Sequence, residues 1–137
     1  MKQGATPGRV VVRLRDLHPG QLRMQAEARR FNVAMCGRRT GKTAYGADVA
    51  INAALAGKSV GWFAPTYKLL DEAWREMRAT LGDIPGLRAN AQQMRLELPT
   101  GGVIEGWSLE GGEDVARGRK YHLVIVDEAG LVPTLLR

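Results

Sequence analysis

The chain has 137 residues, of which 45% are apolar and 25% charged, and its formal net charge is +6. This is enough sequence for one domain with a buried core. No run approaches the roughly 18 apolar residues that a membrane helix needs, and no hydrophobic signal segment follows Met1. The one cysteine, Cys36, excludes an intramolecular disulfide. We therefore expect a soluble protein of a reducing cytoplasm with no membrane partner.

The positive charge is concentrated in the first third of the chain. Residues 1–43 contain ten lysines and arginines against two acids, a balance of +8, whereas residues 44–137 contain ten against twelve, a balance of −2. A basic segment attracts nucleic acid or polyphosphate through long-range attraction and counterion release. A solvated, arginine-rich surface would have the same composition, so charge alone leaves both interpretations open.

The first part of the chain contains four predicted elements. They follow from alternation of Val and Leu with Arg, from a Pro-Gly break, and from apolar spacing typical of strands and helices. In order, they are a basic arm or edge strand within residues 1–16, a helix over 21–30, a short strand over 31–36, and a helix over 42–56 that ends at Gly57.

The second part is predicted to alternate between strands and helices, with one hairpin. Its elements are a strand over 59–64, a helix over 67–81, a loop over 82–86, a hairpin of 94–98 with 103–108, and a strand over 122–126. Strands this apolar, joined through helices, are typical of a parallel sheet covered on both faces. We therefore expect one α/β domain over residues 17–137.

A phosphate-binding loop is predicted between the strand over 31–36 and the helix that follows it, in the stretch Cys36-Gly37-Arg38-Arg39-Thr40-Gly41-Lys42-Thr43. The backbone N–H groups of such a loop wrap phosphate, and a glycine such as Gly41 allows the close approach. The Lys42 ammonium would bind the terminal phosphates of a nucleotide, and the Thr43 hydroxyl would ligate Mg²⁺. Cys36 stands where the pattern G-x-x-x-x-G-K-[ST] has its first glycine, so the match is incomplete.

A second motif follows much later in the chain, where four apolar residues end in two acids, Asp127 and Glu128. A carboxylate at the end of a buried strand can hold the hydration shell of Mg²⁺ close to Thr43. The next acid can polarise the water that attacks a γ-phosphate. An acidic helix N-cap after a core strand would look the same, but the order of the two motifs favours an ATP site.

With both motifs placed, the chain resembles the N-terminal ATPase domain of the large terminase subunit of tailed phages. His18-Pro19-Gly20-Gln21 is similar to that family's glutamine motif, and residues 37–43 resemble its arginine-bearing Walker A loop, which often lacks the first glycine. The predicted hairpin, Arg117-Gly118 and Asp127-Glu128-Ala129 resemble the segment around its Walker B motif. The resemblance implies a three-layer P-loop NTPase fold of the RecA/ASCE type, with a mostly parallel sheet and a β-hairpin before the Walker B strand.

The resemblance also implies a function, namely an ATP-hydrolysing motor that drives double-stranded DNA into a procapsid. Such motors assemble as homo-oligomeric rings, and the implied partners are DNA, the small terminase subunit and the portal protein. The implied location is the bacterial host cytoplasm and, transiently, the procapsid portal. ATP and Mg²⁺ are the implied cofactors.

Roles for single residues come from the same resemblance. Gln21 would read adenine, Arg38 would sense the γ-phosphate, and Arg117 would act as an arginine finger on a neighbouring subunit's ATP, although a surface arginine in a loop would look the same. The implied site residues are Gln21, Gly37, Arg38, Arg39, Thr40, Gly41, Lys42 and Thr43 for ATP, Thr43 and Asp127 for Mg²⁺, and Glu128 and Arg117 for catalysis.

A complete large terminase subunit also has a coupling motif, a lid and a nuclease domain beyond the Walker B motif. We expect these to be absent here, so that the chain is a truncated domain without nuclease activity, whose hydrolysis in isolation is not assured. Two alternatives stay open: a superfamily 2 helicase-like ATPase, and a non-catalytic remnant that binds nucleotide or DNA.

Overall fold

The computed structural model describes residues 19–26, 42–111 and 118–128 of the chain. The predicted arm within residues 1–16, the apolar run over 31–36 and the stretch over 112–117 lie outside these ranges. The described elements are helices α1 (Pro19–Ala26), α2 (Lys42–Leu55) and α3 (Tyr67–Leu81), and strands β1 (Ser59–Ala64), β2 (Arg88–Asn90), β3 (Arg95–Glu97), β4 (Val103–Ser108) and β5 (Leu123–Val126).

The five strands form one open sheet in the order β2-β3-β4-β1-β5. β1 lies between β4 and β5 and runs parallel to both, whereas β3 pairs antiparallel with β2 and with β4. The fold is therefore α/β with a mixed sheet, and it differs from the mostly parallel sheet that the sequence predicts. The reason is that β2, β3 and β4 are joined by short turns, which allow only antiparallel pairing.

Helices α2 and α3 pack on the same face of the sheet. Trp62 lies beside Gly106 in one neighbouring strand and beside Ile125 in the other, so the three residues share this face. A Cβ atom on Gly46 of α2 would lie 3.2 Å from the Trp62 ring, and a Cβ on Gly106 would lie 2.6 Å from Leu70 of α3. Helices α2 and α3 and the sheet thus form two layers, with the core between them. The third layer of the expected fold stays a prediction.

The opposite face of the sheet is aromatic and partly exposed. Tyr121 lies against Gly61, where an added Cβ would come within 2.7 Å of its ring. The Trp107 indole N–H donates to the Tyr121 hydroxyl over 2.6 Å. Val124 and Val126 of β5 are 53% and 39% exposed. The sequence predicts a fully buried strand here, but β5 lies at the edge of the described sheet, and its residues alternate between half-buried and exposed.

The turn between β3 and β4 fastens the carboxyl end of α2. The Thr100 hydroxyl donates to the Ala54 carbonyl oxygen over 2.8 Å. A Cβ atom on Gly102 would lie 1.8 Å from that same oxygen, so only glycine fits where the turn crosses the helix end. The predicted hairpin is therefore present, and it also holds the carboxyl end of α2.

Two elements differ from their predicted bounds. α1 begins at Pro19, within the predicted break, because proline lacks an N–H and its fixed φ suits the first turn of a helix. β2 was not predicted at all, since its three residues are exposed and carry no apolar pattern. Pairing with β3 defines it, and the Asn90 side chain closes the turn by accepting from the backbone N–H groups of Gln92 and Gln93.

Candidate functional site

Two distant parts of the chain meet through the side chains of Thr43 and Asp127. The Thr43 hydroxyl donates to a carboxylate oxygen of Asp127 over 3.0 Å, and the two residues are 84 positions apart. Thr43 is the second residue of α2, and Asp127 directly follows β5. Both side chains are half-buried. The structure therefore brings together the two motifs that the sequence predicts to form one site.

The position of Asp127 follows from the strand pairing. Its backbone N–H donates to the carbonyl oxygen of Phe63 over 2.8 Å, which extends the pairing of β1 with β5 by one residue. The carboxyl ends of the parallel strands β1, β4 and β5 lie at one edge of the sheet. In open α/β sheets this edge is where ligands bind. Asp127 is thus held rigidly where a ligand is expected.

A cavity of about 270 Å³ adjoins this pair, and its described lining residues are Thr43, Leu69, Glu72, Ala73, Glu76, Asp127 and Glu128. The lining has two walls. One is formed by the start of α2 and the end of β5, and the other by a stripe of α3. The stripe residues follow the spacing i, i+3, i+4, i+7, which places them on one side of that helix.

Helix α3 is anchored at both ends, which fixes the second wall of the cavity. The Thr66 hydroxyl caps its start by accepting from the backbone N–H of Leu69 over 3.2 Å. At its end, the Gly82 N–H donates to the Arg78 carbonyl oxygen, and the Arg78 guanidinium donates to the Gly82 carbonyl oxygen. Thr66 thus serves as the N-cap of α3.

The donor atoms at the cavity suit a hard cation. A threonine hydroxyl and a carboxylate are oxygen ligands, which Mg²⁺ prefers. Within the part of the chain that the structure describes, no group of three or more His, Cys, Asp or Glu side chains converges as metal ligands. A magnesium ion that accompanies a nucleotide takes only one or two protein ligands, because phosphates and water supply the others. Thr43 and Asp127 therefore fit such an ion.

Of the other predicted site residues, some are described and some are not. Lys42 is the first residue of α2, and Gln21 lies on α1 with its side chain buried. Gln21 is not among the described residues that line the cavity, so its adenine-reading role stays a prediction. The remaining predicted residues lie outside the described ranges: Gly37, Arg38, Arg39, Thr40, Gly41 and Arg117.

The α3 wall is the part of the site that the sequence does not predict. Glu72 and Glu76 lie on the polar side of an amphipathic sequence pattern, which by itself indicates a solvent-exposed face, whereas both line the cavity. Their stripe lies next to the buried stripe of the same helix, which contains Leu70, Ala73, Trp74 and Met77. The sequence shows both stripes as helical spacing, but only the tertiary fold decides which of them faces a cavity.

No protein family, curated protein or solved structure matches the chain. Among the described helices, none has the length and apolar character to cross a membrane.

Proposed function

We propose that the chain is the ATP-binding and ATP-hydrolysing part of a terminase large subunit, a motor that drives double-stranded DNA into a procapsid. The observation that carries the proposal is the hydrogen bond between Thr43 and Asp127. It joins the residue after a Gly-Lys pair to the first acid after an apolar strand. Those are the two positions at which a P-loop ATPase holds its magnesium ion.

The proposed roles divide the chemistry among four residues. Thr43 and Asp127 would hold Mg²⁺, which supplies charge neutralisation at the phosphates when it is bound. The Lys42 ammonium would bind the terminal phosphates. Glu128 lines the same cavity as Asp127, and its carboxylate would accept a proton from the attacking water. Arg38 and Arg117 keep the phosphate-sensing and arginine-finger roles that the resemblance implies.

DNA is the proposed macromolecular partner, and the net charge of +8 in residues 1–43 supports it. Binding through such a segment releases counterions, so the affinity for duplex DNA should fall steeply as salt is raised. DNA affinity that salt leaves unchanged would contradict this part of the proposal. A ring of like subunits, the small terminase subunit and the portal protein are proposed partners on the resemblance alone.

The first experiment measures Mg²⁺-dependent ATP binding by calorimetry for the parent chain, Thr43→Val and Thr43→Ser. Valine matches the shape of threonine but lacks the hydroxyl, and serine restores it. We expect Thr43→Val to weaken binding by at least about tenfold, or ~1.4 kcal/mol, and Thr43→Ser to bind like the parent. Equal binding by all three proteins would contradict the metal-binding role of Thr43.

Two further variants separate binding from hydrolysis. Lys42→Ala should remove nucleotide binding, because it removes the charge that faces the phosphates. Glu128→Gln should keep binding and lose hydrolysis. If Glu128→Gln hydrolysed ATP like the parent, residue 128 would not be the general base. Binding without turnover in the parent, even at high protein concentration, would favour a non-catalytic remnant.

A further inference from the structure

Glu128 has a backbone conformation that glutamate adopts only at a cost. Its φ of 50° lies in the left-handed region, where the Cβ atom comes too close to the following carbonyl oxygen. Glycine avoids this contact, and asparagine and aspartate tolerate it better than other residues. Among the described non-glycine residues, the one other with positive φ is Met94, also at 50°.

The surroundings of Met94 offset its left-handed conformation. Met94 is buried, with 3% of its surface exposed, and its Cβ packs 3.1 Å from the position that a Cβ on Gly106 would occupy. Its carbonyl oxygen also accepts a hydrogen bond from the Gly106 N–H over 2.8 Å. Burial of an apolar side chain and a backbone hydrogen bond both stabilise this turn.

Within the described part of the chain, Glu128 has neither form of compensation. Its side chain is exposed, and it makes no hydrogen bond or ion pair with any residue that the structure describes. The turn does have one geometric effect. Consecutive residues of an extended strand point to opposite faces, yet Asp127 and Glu128 line the same cavity. Asp127 still pairs with Phe63, so the change of direction occurs at Glu128.

We infer that the left-handed turn at Glu128 is a positioning device that lowers the stability of the fold. It places Glu128 against the cavity that Thr43 and Asp127 also line. Glycine would be the most stable residue at this position, so a glutamate there serves the cavity and not the fold. What the carboxylate does in the cavity rests on the proposed function, whereas the turn itself requires no nucleotide.

The first test compares Glu128→Gly with Glu128→Ala in the full chain by urea and thermal unfolding. Both variants lose the side chain beyond Cβ, so their difference reports on the backbone. At a left-handed position, glycine relieves steric strain in the folded state. This stabilises the protein by more than the greater conformational entropy of glycine in the unfolded chain destabilises it. We expect an unfolding equilibrium constant about two- to fivefold smaller for Glu128→Gly than for Glu128→Ala, and a Tm roughly 2–4 °C higher.

Glu128→Asn sharpens the same test, since asparagine tolerates the left-handed region but lacks the charge. Its stability should lie between those of the glycine and alanine variants. If Glu128→Ala is as stable as Glu128→Gly, residue 128 does not adopt the turn and the inference fails.

The second test measures Mg²⁺-dependent ATP hydrolysis by the same proteins. Glu128→Gly should be at least as stable as the parent, while its turnover should fall by roughly 100-fold or more. A residue with a merely structural role would not lose turnover while stability is kept. Turnover equal to that of the parent would overturn the inference and leave the proposed ATPase intact. If the parent itself bound no nucleotide, the proposed function would fail, and the unfolding comparison would still decide whether the turn exists.

Discussion

The two ends of helix α2 are built in opposite ways. At the carboxyl end, the β3–β4 turn crosses the helix so closely that a Cβ on Gly102 would overlap the Ala54 carbonyl oxygen, and the Thr100 hydroxyl bonds to that oxygen. At the amino end, the Thr43 side chain bonds to Asp127, its partner among the described residues, and Thr43 lines a cavity of about 270 Å³. One end is packed against a turn, and the other adjoins a cavity.

This difference shows how the fold positions a binding residue without filling its site. A helix is rigid along its axis, so fixing one end also fixes the direction of the other. The tight packing at Gly102 is far from the cavity, and it can therefore be optimised without adding groups around Thr43. Substitutions at the carboxyl end of α2 should therefore lower the stability of the fold, and substitutions at its amino end should lower ligand affinity.

The largest expected effect is that of Gly102→Ala. The new methyl group would lie 1.8 Å from a backbone oxygen of α2, so the turn or the helix has to shift, and we expect the free energy of unfolding to fall by about 3 kcal/mol. Gly101→Ala is the matched control, because it has a φ of 90° and no atom within 4 Å of an added Cβ. It should cost about 1 kcal/mol, from backbone conformation alone. If urea unfolding showed equal losses of stability for the two variants, the contact between Gly102 and the Ala54 carbonyl would not be rigid.

The next effect concerns the amino end. In Asp127→Asn the amide oxygen can still accept the Thr43 hydrogen bond, but the negative charge is lost. We expect Mg²⁺-dependent ATP affinity to fall by about tenfold or more, which is ~1.4 kcal/mol, while the free energy of unfolding stays within about 0.5 kcal/mol of the parent. Calorimetry and urea unfolding on the same samples measure both. A large loss of stability with unchanged ATP affinity would show that the amino end of α2 serves stability and not ligand binding.

A smaller effect is expected from Thr100→Val, which removes the hydroxyl that bonds to Ala54. The free energy of unfolding should fall by about 1 kcal/mol, since one hydrogen bond is lost. Thr100→Ser keeps the hydroxyl and should stay close to the parent. ATP affinity should be the same in all three proteins. A change in affinity with Thr100→Val would mean that the two ends of the helix are coupled.

The smallest effect concerns Tyr121, which packs against Gly61 of β1 and Trp107 of β4 and shortly precedes β5 in sequence. Burial raises the pKa of the Tyr121 phenol, so the folded protein holds its proton more tightly than the unfolded chain does. This contribution to stability is fully present below the ordinary tyrosine pKa of about 10 and is lost as the pH rises through the raised folded value.

Tyr121→Phe should therefore reduce the loss of stability above pH ~10, as urea unfolding at several pH values would measure. Part of the loss should remain, because burial also raises the pKa of Tyr45. The effect is small, since the Tyr121 side chain is partly exposed and solvent screens its interactions. An unchanged pH profile in the variant would contradict the role of Tyr121.

Much of the fold follows from local patterns in the sequence. Helical and alternating apolar spacing predicts α2, α3, β1, β5 and the β3–β4 hairpin, and the structure confirms these elements. Other features depend on partners that are distant in sequence. β2 has no apolar residue pattern of its own, and the antiparallel half of the sheet depends on which strands become neighbours.

The candidate site, like the fold, is predictable from the sequence only in part. Two motifs in the right order predict that Thr43 lies near Asp127, and their hydrogen bond confirms that proximity. The part played by Glu72 and Glu76 was not predictable, because a helical stripe of charged residues is equally typical of a solvent-exposed surface. The turn at Glu128 also has no sequence signature, since glutamate is not a residue that marks a left-handed position.

The position of β1 between β4 and β5 has a consequence for how the protein is made. Val60 pairs with Ile104 on one side and with Leu123 on the other, so β1 is synthesised before either of its neighbours. At about 5–20 residues per second, the ribosome needs several seconds to supply β4 and β5. During that interval the segment Ser59–Ala64, which is apolar and free of charge, has both edges unpaired. We expect ribosome-bound chains that end before residue 123 to bind chaperones at this segment, and chains that expose residue 126 to release them.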